Sequence, residues 1–215
     1  MSATLLVEIG TEELPPKALP RLCAAFAAGV DKGLAEAALG HAGITAYCAP
    51  RRLAVSVAGL AERQPDRREQ RRGPALAAAF DAAGAPTAAA EGFARSCGVA
   101  VADLGRVTSG DNEWLAFERH VAGRHVNELL ADIVHQALAG LPIPRRMRWG
   151  AGDVEFVRPV HWVVALYGSA VLECDILGIS AGRSTRGHRF HHGGELPLAS
   201  ADDYATALAE QGHVL

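Results

Sequence analysis

The sequence predicts an α+β fold, mainly antiparallel strands packed with amphipathic helices on one side. Two observations carry that expectation. The first sixty residues pattern as strand, helix, strand, strand, and the chain after Glu155 is a run of short apolar strands. Elements arranged this way, rather than in strict strand–helix alternation, give an α+β layer architecture.

Thr4–Gly10, TLLVEIG, has the composition of a buried strand. TEELPP breaks it, and Pro15 and Pro16 suit the first turn of a helix, where a missing N–H costs little. Leu19, Leu22, Phe26, Val30, Leu34 and Ala37 then recur at helical spacing up to a stop at Gly40. ITAYCA and RLAVSVAGL form the two strands of a hairpin joined across Pro50 and Arg51. Residues 62–74, ERQPDRREQRRGP, are polar, charged and closed by Gly-Pro, which predicts an Arg-rich exposed loop or linker. In TAAAEGFARSCG, Thr87 is a candidate N-cap and Gly98 a candidate helix-ending glycine. RVTSGDNEWLAFERHV patterns as a hairpin turning at Gly110–Asn112. Val126, Leu129, Leu130, Ile133, Val134, Ala137 and Leu138 make one apolar stripe, the clearest helix in the chain, and PIPRRMRWG ends it with two prolines. VEFVRPVHWVVALYG, AVLECDILG and STRGHRF follow as strands. SADDYATALAEQG is a helix whose Ser200 and Asp203 are set as a capping box, and HVL starts a further strand.

The 215 residues, 49% hydrophobic and 21% charged, suffice for one large domain or two small ones; the sequence is taken as one region, 1–215. Apolar stretches such as VVAL fall far short of the roughly 20 residues that span a bilayer, and MSATLLVEIGTEE has no basic leader region, so the expected place is the cytoplasm, away from membranes. Cys23, Cys48, Cys97 and Cys174 form no CxxC pair and sit among apolar residues, where free cysteine acts as a small hydrophobe. A net charge of −3 gives no global basic field, and the only lysines are Lys17 and Lys32. Abundant Ala and Arg-over-Lys usage is also what a GC-rich genome produces, so only the clustering of arginines is informative.

TRGHRFHH, Thr185–His192, raises a metal and an RNA possibility together. On a strand, His188 and His192 point one way and His191 the other, so at most two ligands converge; no metal is expected. GISAG at Gly178–Gly182 matches the nucleophile-elbow pattern around Ser180, but RSTRGHRF after it lacks helical periodicity, so Ser180 is expected in a glycine-punctuated turn and no catalytic residue is assigned. No GxxxxGK[ST] or GxGxxG occurs, so no cofactor-binding phosphate cradle of the usual kind is expected. His161, between apolar residues, is expected to be a hydrogen-bonded core histidine.

Three basic clusters stand out: Arg63, Arg67, Arg68, Arg71 and Arg72; Arg145, Arg146 and Arg148 beside Met147 and Trp149; and Arg183, Arg186 and Arg189 among the histidines. Guanidinium next to aromatics and glycine suits RNA, the one for phosphate and the other for stacking. For any one cluster taken alone, a solvated basic face or pairing with acids elsewhere in the fold is the better account. In PRRMRWG the prolines predict an extended exit, with Arg146 and Arg148 on one side, Arg145 and Met147 on the other, and Trp149 anchoring the turn.

TLLVEIGTEELPPKAL, PRRLAV, RRGPA, AAEGFARSCG, PIPRRMRWG, VEFVRPVHWVV and GRSTRGHRFH occur in this order. Together they closely resemble the N-terminal part of the β subunit of bacterial heterotetrameric glycyl-tRNA synthetase, with STRGH where that family often has TTRGH. The resemblance implies a chain continuing beyond residue 215 into an HD-type helical domain and an anticodon-binding domain. It implies ATP-dependent attachment of glycine to tRNA(Gly) through glycyl-adenylate, with the class II core and its ATP on the α subunit of an α2β2 assembly. The β subunit would contribute tRNA binding and assembly with α. Arg145, Arg146, Arg148, Arg183, Arg186 and Arg189 are then the candidate contacts for tRNA or the α subunit. Parts of such subunits also resemble the B3/B4 region of the phenylalanyl enzyme's β subunit. A stand-alone RNA-binding or structural module, or an editing-type hydrolytic domain, is the alternative.

Overall fold

Strand β1 (Ser2–Thr11) is buried from Leu5 onward, because both of its faces are covered. Leu5, Val7 and Ile9 enter one core; Leu6, between them, enters another on the opposite face of the sheet. This alternation is the period-two geometry of a strand with two apolar neighbours. The computed structural model describes residues 1–110, 112–150 and 152–214. Helix α1 (Leu19–Glu36) buries Leu22, Cys23, Phe26, Val30, Gly33 and Leu34. Its start and end differ from the sequence expectation. Pro15 and Pro16 precede the helix in a turn, where the Pro15 carbonyl accepts from Ala18 and Leu19, and the proline of the first turn is Pro20. At the other end Ala38, with φ 52°, takes the left-handed position expected nearer Gly40. The Leu39 N–H then closes on the Leu34 carbonyl at 2.9 Å, and the buried Leu39 side chain offsets the strain of a left-handed alanine. Strands β2 (Gly43–Ala49) and β3 (Arg52–Ala61) form the predicted hairpin, with Ala49 paired to Arg52 across the Pro50–Arg51 turn.

Of the one large or two small domains that the length allows, the chain forms two units: Met1–Gln64 with Arg124–Leu215, and Pro65–Gly123. The second unit comprises β4 (Arg67–Ala75), α2 (Leu76–Ala79), α3 (Ala88–Cys97), β5 (Gly105–Ser109) and β6 (Asn112–Val121), in the sheet order β4-β6-β5. Most of the segment expected as an exposed Arg-rich loop is therefore an edge strand, still exposed along most of its length. Its charges are not merely solvated. Arg119 donates twice to one Glu69 oxygen, at 2.7 and 3.0 Å, and Arg68 meets Glu118 at 3.2 Å, so ladder and ion pairs hold the strand together. Gly73 is required where it stands, since a Cβ there would lie 2.5 Å from the Phe93 ring. Thr87 and Gly98 flank α3 as expected, Gly98 with φ 74°; the Thr87 hydroxyl donates to the Ala78 carbonyl rather than capping the helix. β5 and β6 pair from Ser109 and Asn112 outward, and Asp111 of the predicted turn lies outside the described residues.

The first unit resumes with α4 (Val126–Ala139), whose buried residues are the seven of the predicted stripe. α4 packs on α1 closely enough that Gly29 and Gly33 are needed: a Cβ would lie 2.9 Å from Ala137 and 2.7 Å from Ile133 respectively. Strands β7 (Met147–Arg148), β8 (Glu155–Phe156), β9 (Val160–Tyr167), β10 (Ala170–Val171), β11 (Asp175–Ile176), β12 (Ile179–Ser180), β13 (Ser184–Arg186) and β14 (Glu195–Pro197) follow, then α5 (Tyr204–Glu210) behind the predicted Ser200–Asp203 capping box. The main sheet has the order β10-β9-β1-β3-β2, every pair antiparallel, so the α+β class holds. The helices are not confined to one side, however. α1 and α4 cover the Leu5–Val7–Ile9 face, and Tyr204, Ala207 and Leu208 of α5 share the Leu6 core on the other. His213 and Val214 of the expected terminal strand form no strand, and Leu215 lies outside the described residues. No helix among the described residues is long and apolar enough to cross a membrane.

Candidate functional site

One end of the main sheet holds a buried polar cluster. Glu8 of β1 is wholly buried, and its Oε1 meets Arg52 Nη1 of β3 at 3.1 Å. The same oxygen accepts the Trp162 indole N–H from β9 at 3.2 Å. Arg52 also donates to the Thr185 hydroxyl at 3.2 Å and to the Arg186 carbonyl of β13. Burial raises the Glu8 carboxyl pKa above its ordinary range, while the Arg52 charge and the polar side chains around it, the Trp162 indole among them, pull it back. Gly10 makes room for the cluster: a Cβ would sit 1.9 Å from the Trp162 ring, so only glycine lets the indole lie against β1. Arg52 and Arg186 place their guanidinium carbons 5.9 and 5.2 Å from that ring's centre. Four of the seven stretches that carry the family resemblance meet here, those containing Glu8, Arg52, Trp162 and Arg186.

A cleft lies above this cluster, between the Pro50–Arg51 turn and the loop from Gly187 to Gly194. Gly187 is locked by its neighbours, since a Cβ would meet His192 Cβ at 2.6 Å and the Gly212 carbonyl at 2.7 Å. The His188 N–H donates to that carbonyl at 2.7 Å, which ties the loop to the segment after α5. The cleft contains two adjoining cavities. One, about 210 Å³, is walled by Glu13, Pro50, Arg51, His188, Arg189 and Phe190 among others; the next, about 360 Å³, by Arg51, Arg186, Arg189, His192, Gly193, Gly194 and Glu195 among others. Phe190 is 80% exposed, with the Arg189 guanidinium 5.3 Å and the His188 ring 6.0 Å from its ring centre. The arginines stand opposite acids at long range: Arg51–Glu12 at 3.6 Å, Arg189–Glu13 at 3.5 Å and Arg186–Glu195 at 3.7 Å.

The structure divides the six predicted contact arginines. Arg186 and Arg189 line the cleft. Arg183 instead binds the Leu198 and Ser169 carbonyls at 3.2 and 3.1 Å, joining backbone segments. Arg145, Arg146 and Arg148 are exposed beyond α4, where Arg146 donates to the Ala139 carbonyl at 2.8 Å and Arg148 meets Asp153 at 3.4 Å. Trp149 packs partly against the core, as the turn anchor it was expected to be.

Other expectations need correction. STRGHRF is a strand only from Ser184 to Arg186; beyond it the His188 carbonyl accepts from both His191 and His192, curling the chain into a turn. The His188 and His191 rings accordingly stack at 4.5 Å instead of facing apart, and no group of three metal-binding side chains forms among the described residues. His161 is a surface residue, its side chain 38% exposed and bonded to Glu12 at 2.9 Å. Ser180 lies after a tight turn, with Leu177 at φ 52° and Gly178 at φ 77°, and donates to Asp175 at 2.6 Å, the glycine-punctuated turn anticipated. Arg51, Phe190 and His192 as partners in one cleft escaped sequence inspection. The signal available was a two-residue hairpin turn, which must project the Arg51 side chain away from the sheet.

The chain matches the glycyl-tRNA synthetase beta subunit family over residues 5–215. It is 54% identical over 98% of its length to the glycine–tRNA ligase beta subunit of Hahella chejuensis, covering 30% of that protein. It is 53% identical to that of Chromohalobacter salexigens over its full length, and 52% identical to that of an Escherichia coli strain over 99%, in each case covering 31% of the relative. The chain thus spans about a third of the length of the curated relatives it matches.

Proposed function

The chain belongs to the glycyl-tRNA synthetase beta subunit family, and from that premise we propose that it is the N-terminal part of a subunit supporting ATP-dependent attachment of glycine to tRNA(Gly). In this reading the adenylate chemistry and its ATP belong to the α subunit of an α2β2 assembly in the cytoplasm. This segment contributes tRNA binding and contacts with α, and holds no cofactor or metal of its own. The observation that carries the reading is the cleft itself: three of the seven stretches that mark the family supply its walls, and there arginines stand beside an exposed aromatic ring. That pairing suits RNA, which offers phosphates and stackable bases together. An editing-type hydrolase draws no support from Ser180, whose hydroxyl is engaged by Asp175.

The test uses full-length β produced with and without α. Glycine-dependent ATP–pyrophosphate exchange and tRNA charging are expected from the co-purified complex and absent from β alone. Exchange by β alone would overturn the division of labour, and failure of β to co-purify with α would overturn the assembly.

A further inference from the structure

We infer that the cleft between the Pro50–Arg51 turn and the 187–194 loop seats one unpaired nucleotide of an RNA strand, its phosphate in the larger cavity and its base in the smaller. The inference rests on the reading that this family member works on tRNA, and it assigns to that role a site and a ligand group.

The larger cavity has the features of a phosphate seat. Arg51, Arg186 and Arg189 line it, and Gly193 and Gly194 present backbone without side chains. A phosphate supplies several acceptor oxygens at once, which the guanidinium groups of three arginines can share. Glu195 is the opposing charge on this wall, and it meets Arg186 only at 3.7 Å, a separation that an entering anion can exploit by taking over the guanidinium.

The smaller cavity shares Arg51, Gly187 and Arg189 with the larger one, so a phosphate and the base attached to it can occupy both. Its outer wall is Phe190, the most exposed large hydrophobic side chain after Met1 among the described residues. An aromatic ring left in water beside a guanidinium is the arrangement on which single-stranded bases stack. His188 adds a second flat ring, and Glu13 supplies a carboxylate able to accept from a base N–H. Stacking on Phe190 needs a free base face, which a base inside a duplex lacks, so the occupant is unpaired.

The experiment measures tRNA(Gly) affinity, its salt dependence and the assembly mass of the full α–β complex carrying Phe190→Ala, Phe190→Trp or Arg51→Gln. Phe190→Ala should weaken tRNA binding about tenfold with an unchanged salt slope, and Phe190→Trp should restore it, because stacking needs only a π-face. Arg51→Gln should weaken binding and lower the salt slope by about 0.7, the value for one single-strand phosphate contact. All three complexes should keep wild-type mass and melting temperature. Affinities within twofold of wild type for Phe190→Ala and Arg51→Gln would overturn the site. Dissociation of the complex by Phe190→Ala would overturn it in favour of a protein interface. Binding of free AMP that Phe190→Ala abolishes, with tRNA affinity unchanged, would put a free nucleotide there and overturn the RNA assignment. Wild-type complex that binds no tRNA would sink the parent reading instead, which separates the two failures.

Discussion

Glu8 and Arg52 face each other at 3.1 Å with both side chains inside the protein, 0% and 5% exposed. Neither charge can be removed alone without stranding the other away from water. Arg52→Met is expected to cost about 3–5 kcal/mol of stability, and Glu8→Met/Arg52→Met less than Arg52→Met by itself. Urea denaturation of the three proteins checks this. A double variant less stable than the single would show that Glu8 does not depend on Arg52 for its compensation.

Gly10 and Trp162 make a second such pair. The ring occupies the space of a Cβ, so Gly10→Ala should destabilise by about 1–3 kcal/mol through overpacking. In a Trp162→Leu background the same change should cost clearly less, since the obstructing ring atoms are gone. Equal penalties in both backgrounds would assign the role of Gly10 to the backbone rather than to the indole.

Glu128 caps its own helix. Its carboxylate accepts the His125 backbone N–H at 3.2 Å and lies 3.4 Å from Arg124 Nε, and these contacts, the backbone bond first, hold its pKa below the ordinary glutamate value of 4.5. A depressed folded pKa means that the cap's contribution is complete above the unfolded value and is lost as pH falls through the lowered one. An NMR titration should show Glu128 titrating below 4.5, and Arg124→Ala should raise it only in part. A Glu128 pKa at the ordinary value would refute the cap.

The cysteines should separate by reactivity. Cys23 is buried in α1, and its thiol is pushed up to about 12, first by burial and then by the neighbouring Cys48 thiol. Cys48 is exposed on β2. Iodoacetamide at pH 8 should therefore label Cys48 in the native protein and reach Cys23 only after denaturation, as read by peptide mass spectrometry. Equal labelling of both in the native state would contradict the packing of α1 on the sheet.

Much of this protein was determined by its sequence alone, where the deciding forces act between near neighbours. The seven-residue stripe of α4, the glycine that ends α3, the Ser200–Asp203 box and the Pro50–Arg51 turn all depend on residues within a single helix or one hairpin, and each stands where expected. The ordered set of motifs also identified the family, since a string of short segments in fixed order is carried by the chain itself.

What the tertiary structure decided involves partners far apart in the chain. Residues 67–75 carry no apolar alternation to announce a strand; β4 exists because β6, some 50 residues on, offers both a ladder and Glu118 and Arg119 for its charges. Local pattern could not place Arg52 against Thr185, 133 positions away, or Glu8 against Trp162, 154 away. The arginines of GRSTRGHRF illustrate the limit most directly. Composition showed a guanidinium-rich stretch, but only the packing of Gly187 against Gly212 curls that stretch so that Arg186 and Arg189 join Arg51 while Arg183 turns to the Leu198 and Ser169 carbonyls. Side-chain type is a property of the sequence; whether a charge meets an acid, a carbonyl or an open cleft depends on which distant surfaces fold against it.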